Sequence, residues 1–158
     1  GDFKKARELY AKLLEEQRFN ESREELLYGM AATEHALTNY DGSVKNFSEA
    51  LHTPDQKLRT RAHRGLGHTL YDQGARGLEK QPKITIQRWT DALRHLDSAV
   101  ELDPENKDLR ENRDHVAKML DELRKVMKQM EQQQQGNKGQ RGCRPSQAAK
   151  VSANTSER

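Results

Sequence analysis

Two arginines one helical turn apart are the residues of this 158-residue chain with the clearest capacity for binding. Arg61 and Arg64 are separated by three positions, so on a helix their side chains lie on one face. A guanidinium group can donate two parallel hydrogen bonds to a carboxylate. The pair therefore predicts a carboxylate-binding position. The alternative, in which both side chains only solvate a helix, stays open.

The motifs of enzymes and metal sites do not occur in the sequence. There is no Gly-rich phosphate loop, no nucleophile elbow and no HxxxH or HExxH among the six histidines. The single cysteine, Cys143, allows neither an intrachain disulfide nor a cysteine metal site. We therefore expect no enzyme, no cofactor, no metal and no small-molecule substrate.

Composition favours an all-α chain with a thin core. Hydrophobic residues make up 32% and charged residues 34%, a ratio that suits stacked helices which each bury one stripe. The net charge is +3. Residues 132–158 hold five basic residues and one acid, or +4, so the remainder is +3 − 4 = −1. A near-neutral folded part gives little support for nucleic-acid binding.

One stretch, residues 66–104, carries the pattern that organises the helices. The stretch begins with Leu66-Gly67 and ends at Pro104. Between them, after a segment of 14 residues (75–88), comes a second pattern of large and small apolar residues: Trp89, Ala92, Leu96 and Ala99. This resembles a tetratricopeptide (TPR) repeat. The resemblance implies a solenoid of antiparallel helix hairpins whose small residues allow close approach.

The resemblance also divides the chain. Residues 1–19 match the second helix of a truncated TPR unit, so we expect a fragment whose N-terminal part is missing. Residues 20–54 form one unit and residues 55–104 a second unit with the 75–88 insertion. Residues 105–131 are a long capping helix, expected to end near Gln133, and residues 132–158 a polar, basic, disordered tail.

The insertion has two interpretations. Pro82 suits the first position of a helix, and Ile86 and Trp89 continue the apolar spacing of the helix that follows. The second helix should then begin near Pro82 and the first should lengthen toward Leu78, giving a tall hairpin. The alternative is a flexible loop, which Gly74 and Gly77 favour.

The capping helix carries a heptad of apolar residues. Leu109, Val116, Leu123 and Met130 recur every seven positions, and Val126 takes the other seam position. We expect the first half to cover the last repeat. Leu123, Val126 and Met130 are candidates for oligomerisation, and a frayed, solvated helix is the alternative.

A narrower resemblance covers roughly residues 60–135. A Leu-Gly-x-x-Leu-Tyr helix, an insertion, a Trp-x-x-Ala-Leu helix, Pro104-x-Asn106, an Asn-containing helix and Gln132–Gln135 occur in the same order in the TPR proteins of bacterial aerotolerance-type (Bat) gene clusters. That resemblance implies a bacterial scaffold in an envelope-associated or periplasmic assembly. It also implies von Willebrand factor A-domain proteins as partners. Compartment and partner are not readable from the residues themselves.

In a TPR stack the first helices of successive units line a concave groove. The repeat frame places these residues there: Tyr28, Ala32, His35, Arg61, Arg64, His68, Tyr71, Asp72, Asp108, Glu111, Asn112 and His115. Such a mixture suits an extended or helical peptide. The chaperone carboxylate clamp is absent, because Tyr28, Ala32 and Gly65 stand where it needs Lys or Asn. The function predicted is a protein-binding scaffold, and the alternative is an oligomerisation module.

Overall fold

The computed structural model describes residues 2–16 and 22–141, with side chains as far as residue 135, and within these ranges the chain is all-α. Six helices follow one another without a strand in the described part. They are α1 (Phe3–Glu16), α2 (Arg23–Ala36), α3 (Tyr40–Ala50), α4 (Gln56–Arg76), α5 (Pro82–Leu102) and α6 (Lys107–Arg141). None of them is long and apolar enough to cross a membrane.

Polar residues fix where the helices begin. The Ser22 hydroxyl accepts a hydrogen bond from the Glu25 backbone N–H at 3.1 Å, and the Asp55 carboxylate accepts one from Lys57 at 2.8 Å. These caps satisfy backbone donors that the first turn of a helix leaves free. Pro82 stands at the first position of α5, where its missing N–H costs nothing.

Two pairs of consecutive helices pack as antiparallel neighbours. Between α4 and α5, the Gln56 side chain donates to the Leu102 carbonyl at 2.8 Å, while Trp89 Nε1 donates to the Tyr71 carbonyl at 3.0 Å. The start of one helix therefore meets the end of the other. α2 and α3 are antiparallel as well: Tyr28, in the first half of α2, meets Phe47, near the end of α3, with ring centroids 5.3 Å apart.

Small residues allow the close approach that the sequence predicted. A Cβ placed on Gly67 would lie 2.5 Å from Leu96 Cγ, and one on Gly65 would lie 2.5 Å from the Phe47 ring. The α4–α5 pair and the α3–α4 pair are therefore closer together than a larger residue at either glycine would permit. The core consists of two clusters, and these are their buried members: Leu27, Ala31, Phe47, Ala50, Ala62 and Leu66 in one, and Leu70, Ala92, Leu96 and Val116 in the other.

The insertion forms a helical hairpin. α5 begins at Pro82, as predicted, and α4 extends to Arg76, so five residues (77–81) connect them. Both helices have 21 residues, against 14 in α2 and 11 in α3. The buried Thr85 hydroxyl donates to the Gly74 carbonyl at 2.8 Å and ties the extension together. Leu78 does not lengthen α4: it lies in the connection and is 36% exposed.

The described residues as far as Lys125 form one compact unit, and those from Val126 belong to a second. In the first unit, α6 buries Leu109, Val116 and Leu120. In the second, α6 continues to Arg141, whereas the sequence predicted an end near Gln133 and disorder from Gln132. Gln, Lys and Arg favour helix, and extending an existing helix is far easier than starting one. Residues 142–158 of the predicted tail lie outside the described residues.

Candidate partner-binding groove

Residues from four helices, α2, α3, α4 and α6, line two adjoining clefts in the first unit. The arginine cleft has a volume of about 160 Å³ and is lined by Tyr28, Ala32, His35, Phe47, Arg61, Arg64, Gly65 and His68. The histidine cleft has about 250 Å³ and is lined by His35, His68, Tyr71, Asp72, Asn112, His115 and Val116. His35 and His68 belong to both, so the clefts form one groove across α2, α4 and α6.

The predicted arginine pair, Arg61 and Arg64, lies in the arginine cleft. The Arg61 guanidinium lies over the Tyr28 ring, 4.3 Å from its centroid. This cation–π contact places the guanidinium group against the face of the ring. No carboxylate of the described residues is within salt-bridge distance of either arginine, although other arginines, Arg23 and Arg113 among them, have such partners. Arg61 and Arg64 can therefore form a salt bridge with a carboxylate of another molecule.

A hydrogen-bond network fixes the histidine that joins the two clefts. His35 Nδ1 lies 3.0 Å from the Thr69 hydroxyl, and His35 Nε2 lies 3.2 Å from an Asp72 carboxylate oxygen. The Thr69 hydroxyl in turn lies 3.1 Å from the Ser43 hydroxyl, and both hydroxyl residues are fully buried. The network joins α2, α3 and α4 and locks the orientation of the imidazole ring.

The same network has the order Asp–His–hydroxyl found in nucleophilic enzymes. The Thr69 side chain is 0% exposed, however, and its hydroxyl already contacts both His35 and Ser43. A substrate atom has no route to that oxygen. The arrangement therefore orients a groove histidine and supplies no nucleophile.

The histidine cleft combines aromatic and titratable groups. The Tyr71 ring stacks on Trp89 with centroids 5.1 Å apart, and its hydroxyl lies 3.3 Å from His115 Nε2. Burial, and secondly the charge of Asp72, raise the pKa of Tyr71 above its usual value. Burial, and secondly the Arg64 guanidinium, lower the pKa of His68. At neutral pH His68 is therefore uncharged and offers one donor and one acceptor.

Most of the predicted groove residues lie together, and two do not. Asp108 and Glu111 line neither cleft, and the Glu111 carboxylate pairs with Lys107 Nζ at 3.3 Å on the exposed side of α6. Of the three residues proposed for oligomerisation, Leu123 is half-buried in the first unit, whereas Val126 and Met130 are 50% and 51% exposed in the second.

Sequence reasoning missed a third part of the groove. A wide pocket of about 800 Å³ adjoins Arg61 and Arg64 on the side away from the histidine cleft. It adds residues at the ends of α4, α5 and α6, namely Lys57, Thr60, Leu102, Asp103, Asn106 and Leu109. The groove therefore extends beyond Arg61 and Arg64 into this pocket. Lys57 could have been found, because it precedes Arg61 by one helical turn.

No group of three or more metal-ligating side chains comes together in the part of the chain that the structure describes. The groove histidines are instead held by Thr69, Asp72 and Tyr71. Comparison of the chain with protein-family models, with curated proteins and with solved structures found no match.

Proposed function

We propose that this chain is a TPR-type scaffold that binds a peptide or helix of another protein in the groove formed by α2, α4 and α6. One observation carries the proposal: ten of the twelve residues that the repeat pattern assigns to the groove lie together in the structure. They come from three helices separated in sequence, and they line two clefts that share His35 and His68.

The sizes of the clefts favour side chains of a peptide as occupants. Pockets for small organic ligands have volumes of about 300–1,000 Å³. The arginine and histidine clefts, at about 160 and 250 Å³, are smaller, while the third pocket of about 800 Å³ extends the groove past the arginine pair and gives room for further residues of a peptide. Neighbouring helices lie roughly 8–10 Å apart, so three of them span roughly 20 Å. An extended peptide rises ~3.3 Å per residue, so about six residues cross the groove.

The chemistry of the lining indicates which groups of the peptide bind in which cleft. A carboxylate of the ligand pairs with Arg61 and Arg64, which have no acidic partner of their own among the described residues. Uncharged polar or aromatic side chains enter the histidine cleft, where His68, Asn112 and the Tyr71 ring offer hydrogen bonds and a stacking face. The function proposed for this lining is binding.

Selection from a random peptide library, followed by titration of the selected peptides, tests the proposal. The Arg61→Ala/Arg64→Ala protein should bind them about tenfold or more weakly, since two charge-assisted contacts are lost. Lys45→Ala/Lys118→Ala is the matched control, because it removes the same charge from exposed positions outside both clefts. Equal weakening in both variants would show non-specific attraction and refute the groove.

The Bat-cluster resemblance extends the proposal to partner and place. It makes a von Willebrand factor A-domain protein the partner and the bacterial envelope or periplasm the compartment. Titration of such a domain with the natural and the Arg61→Ala/Arg64→Ala proteins tests this directly. Binding of selected peptides without binding of the domain would reject the partner and retain the groove.

A second candidate function is self-association through α6. Val126 and Met130 continue the apolar heptad and are about half exposed, whereas Leu109 and Val116 of the same heptad are buried. Exposed heptad positions are typical of helices that pair with another helix. Sedimentation equilibrium of the natural and Val126→Glu/Met130→Glu proteins tests it. A monomer in both cases would reject this function.

A further inference from the structure

Two histidines meet edge to edge where α4 packs on α5. His63 of α4 and His95 of α5 bring their Nδ1 atoms to 3.1 Å, with ring centroids 5.4 Å apart and planes inclined by 36°. Both rings are half-buried, so one side of the pair is open to water. Neither ring lines the arginine or the histidine cleft, and the pair plays no part in the groove.

The pair shares one proton. A neutral imidazole carries a single N–H, so one ring donates its Nδ1–H and the other accepts at Nδ1. No other acceptor within hydrogen-bond distance of these Nδ1 atoms is found in the described residues. The two Nδ1 atoms are therefore held side by side by two packed helices, and once the shared proton has left Nδ1, both can face one metal ion as cis ligands.

The distance fits one ion. A divalent ion binds imidazole nitrogen at about 2.0–2.1 Å, and at angles between square-planar and tetrahedral two such ligands are roughly 2.8–3.4 Å apart. The observed 3.1 Å lies inside that interval. We propose that His63 and His95 form a binding site for one imidazole-preferring divalent ion, Cu²⁺, Ni²⁺ or Zn²⁺, whose remaining ligands are water.

Binding needs no net loss of a proton from the neutral pair. The donating ring moves its proton from Nδ1 to Nε2 through solvent, each ring turns its Nδ1 lone pair to the ion, and both rings become Nε2–H tautomers. Burial, followed by the charge of the partner ring, lowers the pKa of His95 to about 4, and burial and Arg59 lower that of His63.

The charges around the pair decide which ions bind. Arg59 acts on His63, while Arg94 and Asp91 act on His95, and Asp91 is hydrogen-bonded to Arg94. The two cations repel every divalent ion, so only an ion that gains strongly from imidazole nitrogen can bind. Mg²⁺ and Ca²⁺ prefer oxygen ligands, and we therefore expect them not to bind. The order of affinity is expected to follow Cu²⁺ above Ni²⁺ and Zn²⁺.

Calorimetric titration of the whole chain at pH 7 with each ion alone tests the site. Cu²⁺ should bind with one ion per chain and Mg²⁺ should not bind. Affinity should fall about tenfold or more in His63→Gln and in His95→Gln, because each loses one of two protein ligands. His52→Gln is the control, since His52 contacts only the Glu49 carbonyl of its own turn. Equal affinity in the natural protein and both pair variants would overturn the proposal.

A measurement on the natural protein removes any dependence on the folding of the variants. Substoichiometric Cu²⁺ should broaden the imidazole proton resonances of His63 and His95 before those of the other four histidines. Electron paramagnetic resonance should show two nitrogen ligands. Broadening first at the groove histidines His35, His68 and His115, or a single nitrogen ligand, would assign the ion elsewhere and refute the His63–His95 site.

Discussion

Replacing Gly67 with alanine sets two effects of opposite sign against each other. In a solvent-exposed helix the change stabilises by about 1 kcal/mol, because alanine is the better helix former. Here the new Cβ would lie 2.5 Å from Leu96 Cγ, 2.7 Å from its Cδ2 and 3.3 Å from the Ala92 carbonyl. Leu96 is 0% exposed, so its side chain is enclosed by the core.

Overpacking therefore decides the sign. Forcing a methyl group into a filled core costs typically 1–3 kcal/mol. The contact of the new Cβ with the Ala92 backbone, which cannot rotate away, places Gly67→Ala in the upper half of that range. After the gain in helix propensity, we expect a net loss of about 1–2 kcal/mol in the free energy of unfolding. Urea denaturation followed by circular dichroism measures it.

Gly77→Ala is the matched control. Gly77 ends α4 with φ −93°, and the nearest atom to its new Cβ would be 3.6 Å away. Its stability should be unchanged or up to ~1 kcal/mol higher, because alanine restricts the unfolded chain. Leu96→Ala alone should cost about 2–5 kcal/mol, and less in the Gly67→Ala background. If Gly67→Ala proves as stable as the natural protein, or the two costs add, the close α4–α5 contact is wrong.

Two further predictions concern buried polar groups. Thr69→Val should lower the free energy of unfolding by about 2–3 kcal/mol, because His35 and Ser43 lose their buried partner. Urea titration measures this loss. If Thr69→Val lost no more stability than Thr69→Ser, which keeps the hydroxyl, the network would be contradicted. Stability should also fall as pH drops from about 6.5 toward 4, since the unfolded chain protonates His95 before the folded chain does. With partial solvent screening the loss is about 1–2 kcal/mol, and His95→Gln should flatten the pH profile of urea midpoints.

Local chemistry made the helices predictable. Pro82 lacks an N–H and fits the first position of a helix, and the apolar residues that follow it keep helical spacing. These two signals in the sequence are enough to indicate the start of α5 and the long hairpin. The end of α6 was not predictable in this way, because a run of glutamine is compatible both with a helix and with a disordered tail.

The groove was predictable only as far as the repeat frame places residues on one face. Arg61, Arg64 and His68, which that frame places on one face, line the clefts, whereas Glu111, which it places there too, does not. Glu111 instead pairs with Lys107 four positions earlier, a local contact that competes with any groove role. Contacts between residues far apart in the sequence, such as Thr69 with Ser43, have no sequence signature, because the sequence does not show which two hydroxyl residues will meet.

The lengthened hairpin and the groove are parts of one structure. Trp89 lies at the base of the extension, fully buried, with its indole close to Gly74. Its N–H donates to the Tyr71 carbonyl and its ring supports the Tyr71 ring from behind. Tyr71 in turn meets His115 of α6 in the histidine cleft. A change in the extension that moves Trp89 must therefore move a wall of the groove, so the insertion helps to set the shape of the proposed binding site.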